Sequence, residues 1–179
     1  MGKITLILGG ARSGKSQFAL KLAEKTARSA IFIATATTSD NEMRQRIKLH
    51  RKNRPSRWKT IEEPGKLSLL VKRISKKTDL IIIDCMTIFI SNLLLEGRSD
   101  YSIQNEVNSV LITIRNSDFN SLIVSNEVGM GIVPDNRLAR RFRDLAGKIN
   151  QSIAAASDEA YLMVSGLPLK LKGADNEQD

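Results

Sequence analysis

Five short apolar runs punctuate the chain, at Ile4–Leu8, Ala30–Ala34, Leu80–Ile83, Ser121–Val124 and Ala160–Val164. They are mostly rich in Ile, Val or Leu, the pattern of strands buried on both faces of a parallel sheet. The stretches between them repeat their apolar residues at helical spacing instead. Phe18 and Leu22, with Ala19 and Ala23, form one stripe after Ser16; Leu67, Leu70, Val71 and Ile74 form another. Val107, Leu111 and Ile114 form a third, and Leu138, Phe142, Leu145 and Ile149 a fourth. Strand and helix alternate, an order that predicts right-handed crossovers within an α/β domain. That domain is expected to span residues 1–172, with the polar residues 173–179 left as a fraying C-terminal tail.

Composition narrows the class. With 179 residues, 41% of them hydrophobic and 26% charged, the chain suits one globular domain and is not of the disordered type. Its one cysteine cannot close an internal disulfide, and one Cys with one His excludes a zinc site built mainly from those ligands. The run Ile4–Leu8 is too short for a signal-peptide core, and no run approaches the ~18 apolar residues of a membrane span. Leu6 stands where a myristoylation signal needs Ser or Thr. A soluble, cytoplasmic protein is expected. The charge is less ordinary: 28 Lys and Arg against 19 Asp and Glu give +9, which points to a polyanionic partner. Residues 40–59 hold eight basic and two acidic residues, so +6 of that excess is local.

Candidate chemistry begins at Gly9-Gly10-Ala11-Arg12-Ser13-Gly14-Lys15-Ser16, which satisfies GxxxxGK[ST] between a predicted strand and a predicted helix. Glycines let such a loop curl so that successive N–H groups face phosphate oxygens at a helix N-terminus. Lys15 is placed to reach the β- and γ-phosphates, and the Ser16 hydroxyl to ligate Mg²⁺. The fold class expected is therefore a three-layer P-loop NTPase-like domain with a mostly parallel central sheet. Asp84 ends the run Leu80–Ile83 and has two readings: a Mg²⁺-holding carboxylate at a strand's carboxyl end, or the N-cap of a helix beginning near Thr87. Cys85 reads as packed rather than reactive, since no basic partner is evident.

Two further positions stay open on residues alone. Ser125–Gly131 is a second Gly-containing turn after a strand, where open α/β sheets bind ligands. Its Glu127 can orient a substrate hydroxyl, act on the metal, or belong to a plain loop. His50 lies on a stretch that reads as helical from Asp40 to about Asn53, with Met43 and Ile47 on its apolar side. Arg46, Arg51 and Arg54 surround it, and neighbouring cations keep an imidazole neutral with a lone pair available. A packed histidine, a nucleophile at phosphorus and a basic helix on a nucleic-acid backbone are all compatible with that setting. Trp58, the segment's single aromatic, gives base stacking little support.

Taken together, the motifs resemble a known family. GGARSGKS, IFIATAT, D-x-EM-x-x-RI-x-x-H-x-x-x-R, W-x-T-x-E-x-P, IDCMTIFISN, SNEVGMGIVP, RxFRDLAGxxNQ and VSGLPLKLK run in order from Gly9 to Lys172. They are similar to the bifunctional adenosylcobinamide kinase / adenosylcobinamide-phosphate guanylyltransferases of cobalamin biosynthesis. The resemblance implies phosphorylation of adenosylcobinamide by ATP or GTP, then GMP transfer from GTP through a histidine–GMP intermediate to give adenosylcobinamide-GDP. It implies His50 as the nucleophile and Lys15 as its catalytic companion. It implies nucleotide contacts from Gly9, Gly10, Ala11, Arg12, Ser13, Gly14, Lys15, Ser16, Ala34, Thr35, Ala36, Arg51, Lys52, Asn53, Arg54, Glu62 and Asp84, with Ser16 and Asp84 on the metal. A homo-oligomer, with a trimer favoured, is implied as well, with neither nucleic acid nor a membrane span involved. A monofunctional P-loop kinase with a structural His50 and a nucleic-acid-binding NTPase are the competing readings.

Overall fold

The computed structural model describes residues 1–36, 55, 57–75 and 77–173. Seven strands and five helices are seen among them: β1 (Ile4–Gly9), α1 (Lys15–Thr26), β2 (Ala30–Ala34), β3 (Lys59–Glu62), α2 (Leu67–Lys72), β4 (Leu80–Asp84), α3 (Met86–Leu95), α4 (Asp100–Arg115), β5 (Asn120–Val124), α5 (Arg137–Ala156), β6 (Glu159–Val164) and β7 (Leu167–Lys172). One sheet holds all seven strands in the order β3-β2-β4-β5-β1-β6-β7. Every neighbouring pair is parallel except β6 with β7. The mostly parallel sheet expected from the apolar runs is therefore present.

Helices cover both faces, making three layers. On one face Ile4, Leu6, Ile33, Ile81, Ile83 and Ile123 pack against α2, α3, α4 and α5. On the other, Ile7, Phe32, Ile82, Leu122 and Val124 pack against Ala19, Leu20 and Ala23 of α1. Alternate residues of one strand thus feed two cores, which is why the runs show no polar alternation.

The structure adjusts several expectations. The buried side of α1 is Lys15, Ala19, Leu20 and Ala23, while Phe18 and Leu22 sit at its flank. The α2 helix stops at Lys72, so Ile74 lies beyond it. Leu138 is exposed on the first turn of α5, whose buried side begins at Leu145. Strands β3 (KTIE) and β7 (LPLKLK) were not among the five runs, because both are edge strands that bury little. Such strands need no continuous apolar face, and Pro168 sits where only an edge tolerates proline. The predicted helix over 40–53 and the tail beyond Gly173 lie outside the described residues.

Candidate active site

The carboxyl ends of the parallel strands form one row. Register pairs Glu62 with Ala34, Ala34 with Asp84, Asp84 with Val124, and Val124 with Ile7. Open α/β sheets bind ligands along that edge. Five candidate positions (Ala34, Thr35, Ala36, Glu62 and Asp84) are brought there from three strands, beside the loop that follows β1.

That loop, Gly9–Ser16, turns from β1 into α1. Arg12 (φ 57°) and Gly14 (φ 93°) both take left-handed backbone conformations. Alternating the hand of the backbone in this way turns successive N–H groups toward one side, making an anion-binding concavity. Gly9 is required for a different reason: a Cβ on it would come within 2.6 Å of the Met163 carbonyl oxygen on β6. The N-cap of α1 is Gly14, with no side-chain cap and no acidic residue in the first turn. The helix therefore offers uncapped N–H groups and its positive dipole end to an anion.

Lys15 lies over the loop and is buried; its Nζ donates to the Gly10 carbonyl at 2.6 Å and to Ser13 Oγ at 3.5 Å. Burial lowers its pKa, and the charge of Asp84 acts in the opposite direction. Asp84 is thus within electrostatic reach of Lys15. Its second reading, as a helix cap, does not hold: α3 begins at Met86, and its N-cap is Cys85, without a side-chain cap. Cys85 is buried, and burial raises its thiol to about 12, so it is packed and neutral as expected. The Asp84–Cys85 peptide is cis.

Thr35 is fully buried and ties β2 to β4. Its hydroxyl donates to the Cys85 carbonyl at 2.7 Å and accepts from the Cys85 N–H at 2.9 Å. Asn92 Nδ2 donates to the Thr35 carbonyl at 2.9 Å, fixing the strand end from α3. Ser16 and Asp84 are half-buried, whereas Glu62 is exposed. Trp58 packs into the α1 face of the sheet, with the Arg57 guanidinium 5.7 Å from its ring centre, which removes it from any stacking surface. His50, Arg51, Lys52, Asn53 and Arg54 lie outside the described residues.

Two contributions escaped sequence reasoning. The β6–β7 turn, Ser165-Gly166, has both residues at positive φ, as a two-residue hairpin needs. The Gly166 N–H donates to the Ser13 carbonyl at 3.0 Å, so this hairpin braces the phosphate loop. The second is the Arg143, Gly147, Asn150 and Gln151 side of α5, which with Leu8 walls a groove of about 570 Å³ beside the loop and faces Glu127 of the Ser125–Gly131 turn that the sequence singles out. Those four α5 residues recur at helical spacing, and their polar stripe within RxFRDLAGxxNQ was the available signal.

Comparison with known proteins agrees with this geometry. Residues 5–171 match the family described as cobinamide kinase / cobinamide phosphate guanyltransferase (CobU). The chain is 41% identical over 179 residues to the bifunctional adenosylcobalamin biosynthesis protein CobU of Salmonella typhimurium, covering 93% of this chain and 98% of that one. The Escherichia coli (strain K12) protein of the same name is 38% identical at the same coverage. The Pseudomonas aeruginosa protein CobP is 39% identical over 168 residues, covering 94% and 96%. Among solved structures, the RadB recombinase shares the fold with a TM-score of 0.54 at 12% identity, over 90% of this chain and 74% of that chain.

Proposed function

Because the chain belongs to the cobinamide kinase / cobinamide phosphate guanyltransferase family and is a bifunctional enzyme of it, we propose that both reactions run at the phosphate-loop edge of the sheet. A nucleoside triphosphate lies with its β- and γ-phosphates in the Gly9–Ser16 concavity, and Lys15 turns its ammonium from the Gly10 carbonyl onto them. The acceptor is the hydroxyl on the aminopropanol arm of adenosylcobinamide. It attacks the γ-phosphorus, the bond from phosphorus to the β,γ-bridging oxygen breaks, and the nucleoside diphosphate leaves. In the second reaction His50 attacks the α-phosphorus of GTP, pyrophosphate leaves, and a phosphoramidate with GMP forms. The phosphate made in the first reaction then displaces His50, giving adenosylcobinamide-GDP. The observation that carries this reading is the loop itself: a buried lysine, left-handed turns and an uncapped helix end, on a chain matching the family over residues 5–171.

Arg51, Lys52, Asn53 and Arg54 follow the nucleophile in sequence and supply charge for the triphosphate of GTP. Ala34, Thr35, Ala36 and Glu62 complete the nucleotide edge. A Mg²⁺ ion suits the donors at hand, since the Ser16 hydroxyl and the Asp84 carboxylate are hard oxygen ligands on neighbouring elements. When bound it supplies neutralisation of phosphate charge. No described helix is long and apolar enough to cross a membrane, and a cytoplasmic location is consistent with nucleotide substrates.

Incubation with adenosylcobinamide and GTP tests the reading. Label from γ-³²P-GTP is expected on the corrinoid first, followed by label from α-³²P-GTP in the same product. A corrinoid that never acquires the γ-label refutes the first reaction; one that acquires only that label refutes the second.

The chain is also proposed to act as a homo-oligomer, a trimer in the favoured form. Leu167, Leu169 and Leu171 of edge strand β7 are each more than half exposed and recur with strand period two, giving one apolar stripe. Light scattering of the purified protein is expected to give a multiple of 19.9 kDa that Leu169→Lys lowers. A monomeric mass for the unsubstituted chain would dismiss this proposal.

A further inference from the structure

The groove between the post-β5 loop and α5 lies outside the nucleotide positions assigned above, yet it adjoins the phosphate loop. After β5 ends, the chain keeps pairing with β1: Ser125 N–H donates to the Ile7 carbonyl at 3.0 Å, and Glu127 N–H to the Gly9 carbonyl at 3.0 Å. Glu127 is thereby held next to the first residue of the phosphate loop. Its position is fixed from behind by a buried polar chain. Asn150 Nδ2 donates to the Asn126 carbonyl at 3.0 Å, Asn126 N–H donates to Thr87 Oγ1 at 2.6 Å, and Ser125 Oγ donates to Asn150 Oδ1 at 2.7 Å. With the Ser125 proton used there, Thr87 is the donor in its 3.1 Å contact with Ser125.

The carboxylate itself is half engaged. Oε1 accepts from Gly129 N–H at 2.7 Å, while Oε2 has no hydrogen bond among the described residues. Beyond it the groove is walled by Gly147 and Asn150, and its apolar lining includes Leu8, Ala154 and the largely exposed Val133. A cleft of mixed polar and apolar lining that holds a carboxylate beside a phosphate loop suits an acceptor with a hydroxyl-bearing arm and a bulky, partly apolar body.

We infer that this groove is the acceptor site and that Glu127 is the general base of the phosphoryl transfer, an inference that rests on the kinase reading above. Oε2 takes the proton of the acceptor hydroxyl as its oxygen bonds to the γ-phosphorus. The nucleoside diphosphate departs with the bridging oxygen, and the proton passes from Glu127 to solvent. Asn150 acts as a positioning residue, through Asn126.

Two substitutions test it in the full-length protein. Glu127→Gln keeps an oxygen for Gly129 N–H and removes the base; kcat for phosphorylation of adenosylcobinamide is expected to fall about 10²-fold, with KM little moved. Gly147→Phe fills the groove, because a Cβ at Gly147 meets nothing within 4 Å. It is expected to raise KM for adenosylcobinamide by about tenfold or more. In both variants the dissociation constant for GTP, measured by calorimetry, reports whether the loop is intact and is expected to be unchanged. Wild-type kcat in Glu127→Gln, or wild-type KM in Gly147→Phe, while the unsubstituted enzyme phosphorylates normally, overturns this inference alone. Absence of γ-phosphoryl transfer by the unsubstituted enzyme overturns the kinase reading together with it.

Discussion

His50→Ala is expected to end GMP transfer, lowering its rate by roughly four to six orders of magnitude, the scale on which covalent catalysts lose activity with their nucleophile. The reason is chemical: no other imidazole exists in the chain, so nothing else can form the phosphoramidate. Incubated with α-³²P-GTP and denatured, the unsubstituted protein should keep a label that acid releases and alkali does not. That label should vanish in His50→Ala, and phosphorylated adenosylcobinamide should accumulate without conversion to the GDP derivative. Persistence of an acid-labile label in the variant would remove His50 from the mechanism. Absence of label in the unsubstituted protein would leave a monofunctional kinase.

Lys15→Ala is expected to depress both reactions, each by about 10³-fold in kcat/KM, because one ammonium serves the phosphates in both. Its buried amine is placed for that task at a cost. Lys15 has its pKa lowered by burial, so the folded state disfavours the charged form. A lysine so shifted opposes folding at neutral pH, and that opposition fades as pH rises from the folded pKa toward the unfolded one. Two thermal results follow. The nucleotide-free Lys15→Ala protein should melt at or above the unsubstituted one, since removing the side chain relieves the buried charge. GTP should then stabilise it far less, whereas the unsubstituted protein gains about 2.7 kcal/mol at a ligand concentration 100 times the dissociation constant. A variant that melts early and still responds to GTP would show the lysine to be structural. Lys15→Arg should not restore activity. A planar guanidinium cannot replace a compact ammonium 2.6 Å from the Gly10 carbonyl.

What was legible in the chain depended on how far apart the interacting residues lie. Strands β1, β2, β4, β5 and β6 were each visible as an apolar run to within a residue or so at either end. A strand covered on both faces must be apolar throughout, whatever its neighbours are. Edge strands β3 and β7 were missed because only one side of each is paired, and their residues need not be apolar. Asp84 could be read two ways from sequence; only the position of the α3 cap at Cys85 removed one of them.

The phosphate loop was determined by sequence alone, because its function is carried by eight consecutive residues whose glycines and lysine act on their own backbone. The concentration of charge around the single histidine was equally local, and the ordered blocks from Gly9 to Lys172 carried the family. Tertiary structure alone decided the surroundings of that loop. Strand order β3-β2-β4-β5-β1-β6-β7 sets β1 between β5 and β6, which brings Glu127 to Gly9 on one side and Gly166 to Ser13 on the other. No local periodicity encodes which strands become neighbours, since that choice is made by packing two cores against a twisted sheet. Hence the chemistry of the phosphate loop could be read residue by residue and the Glu127 turn could be picked out, while the α5 wall that makes a groove of it emerged only from the folded chain.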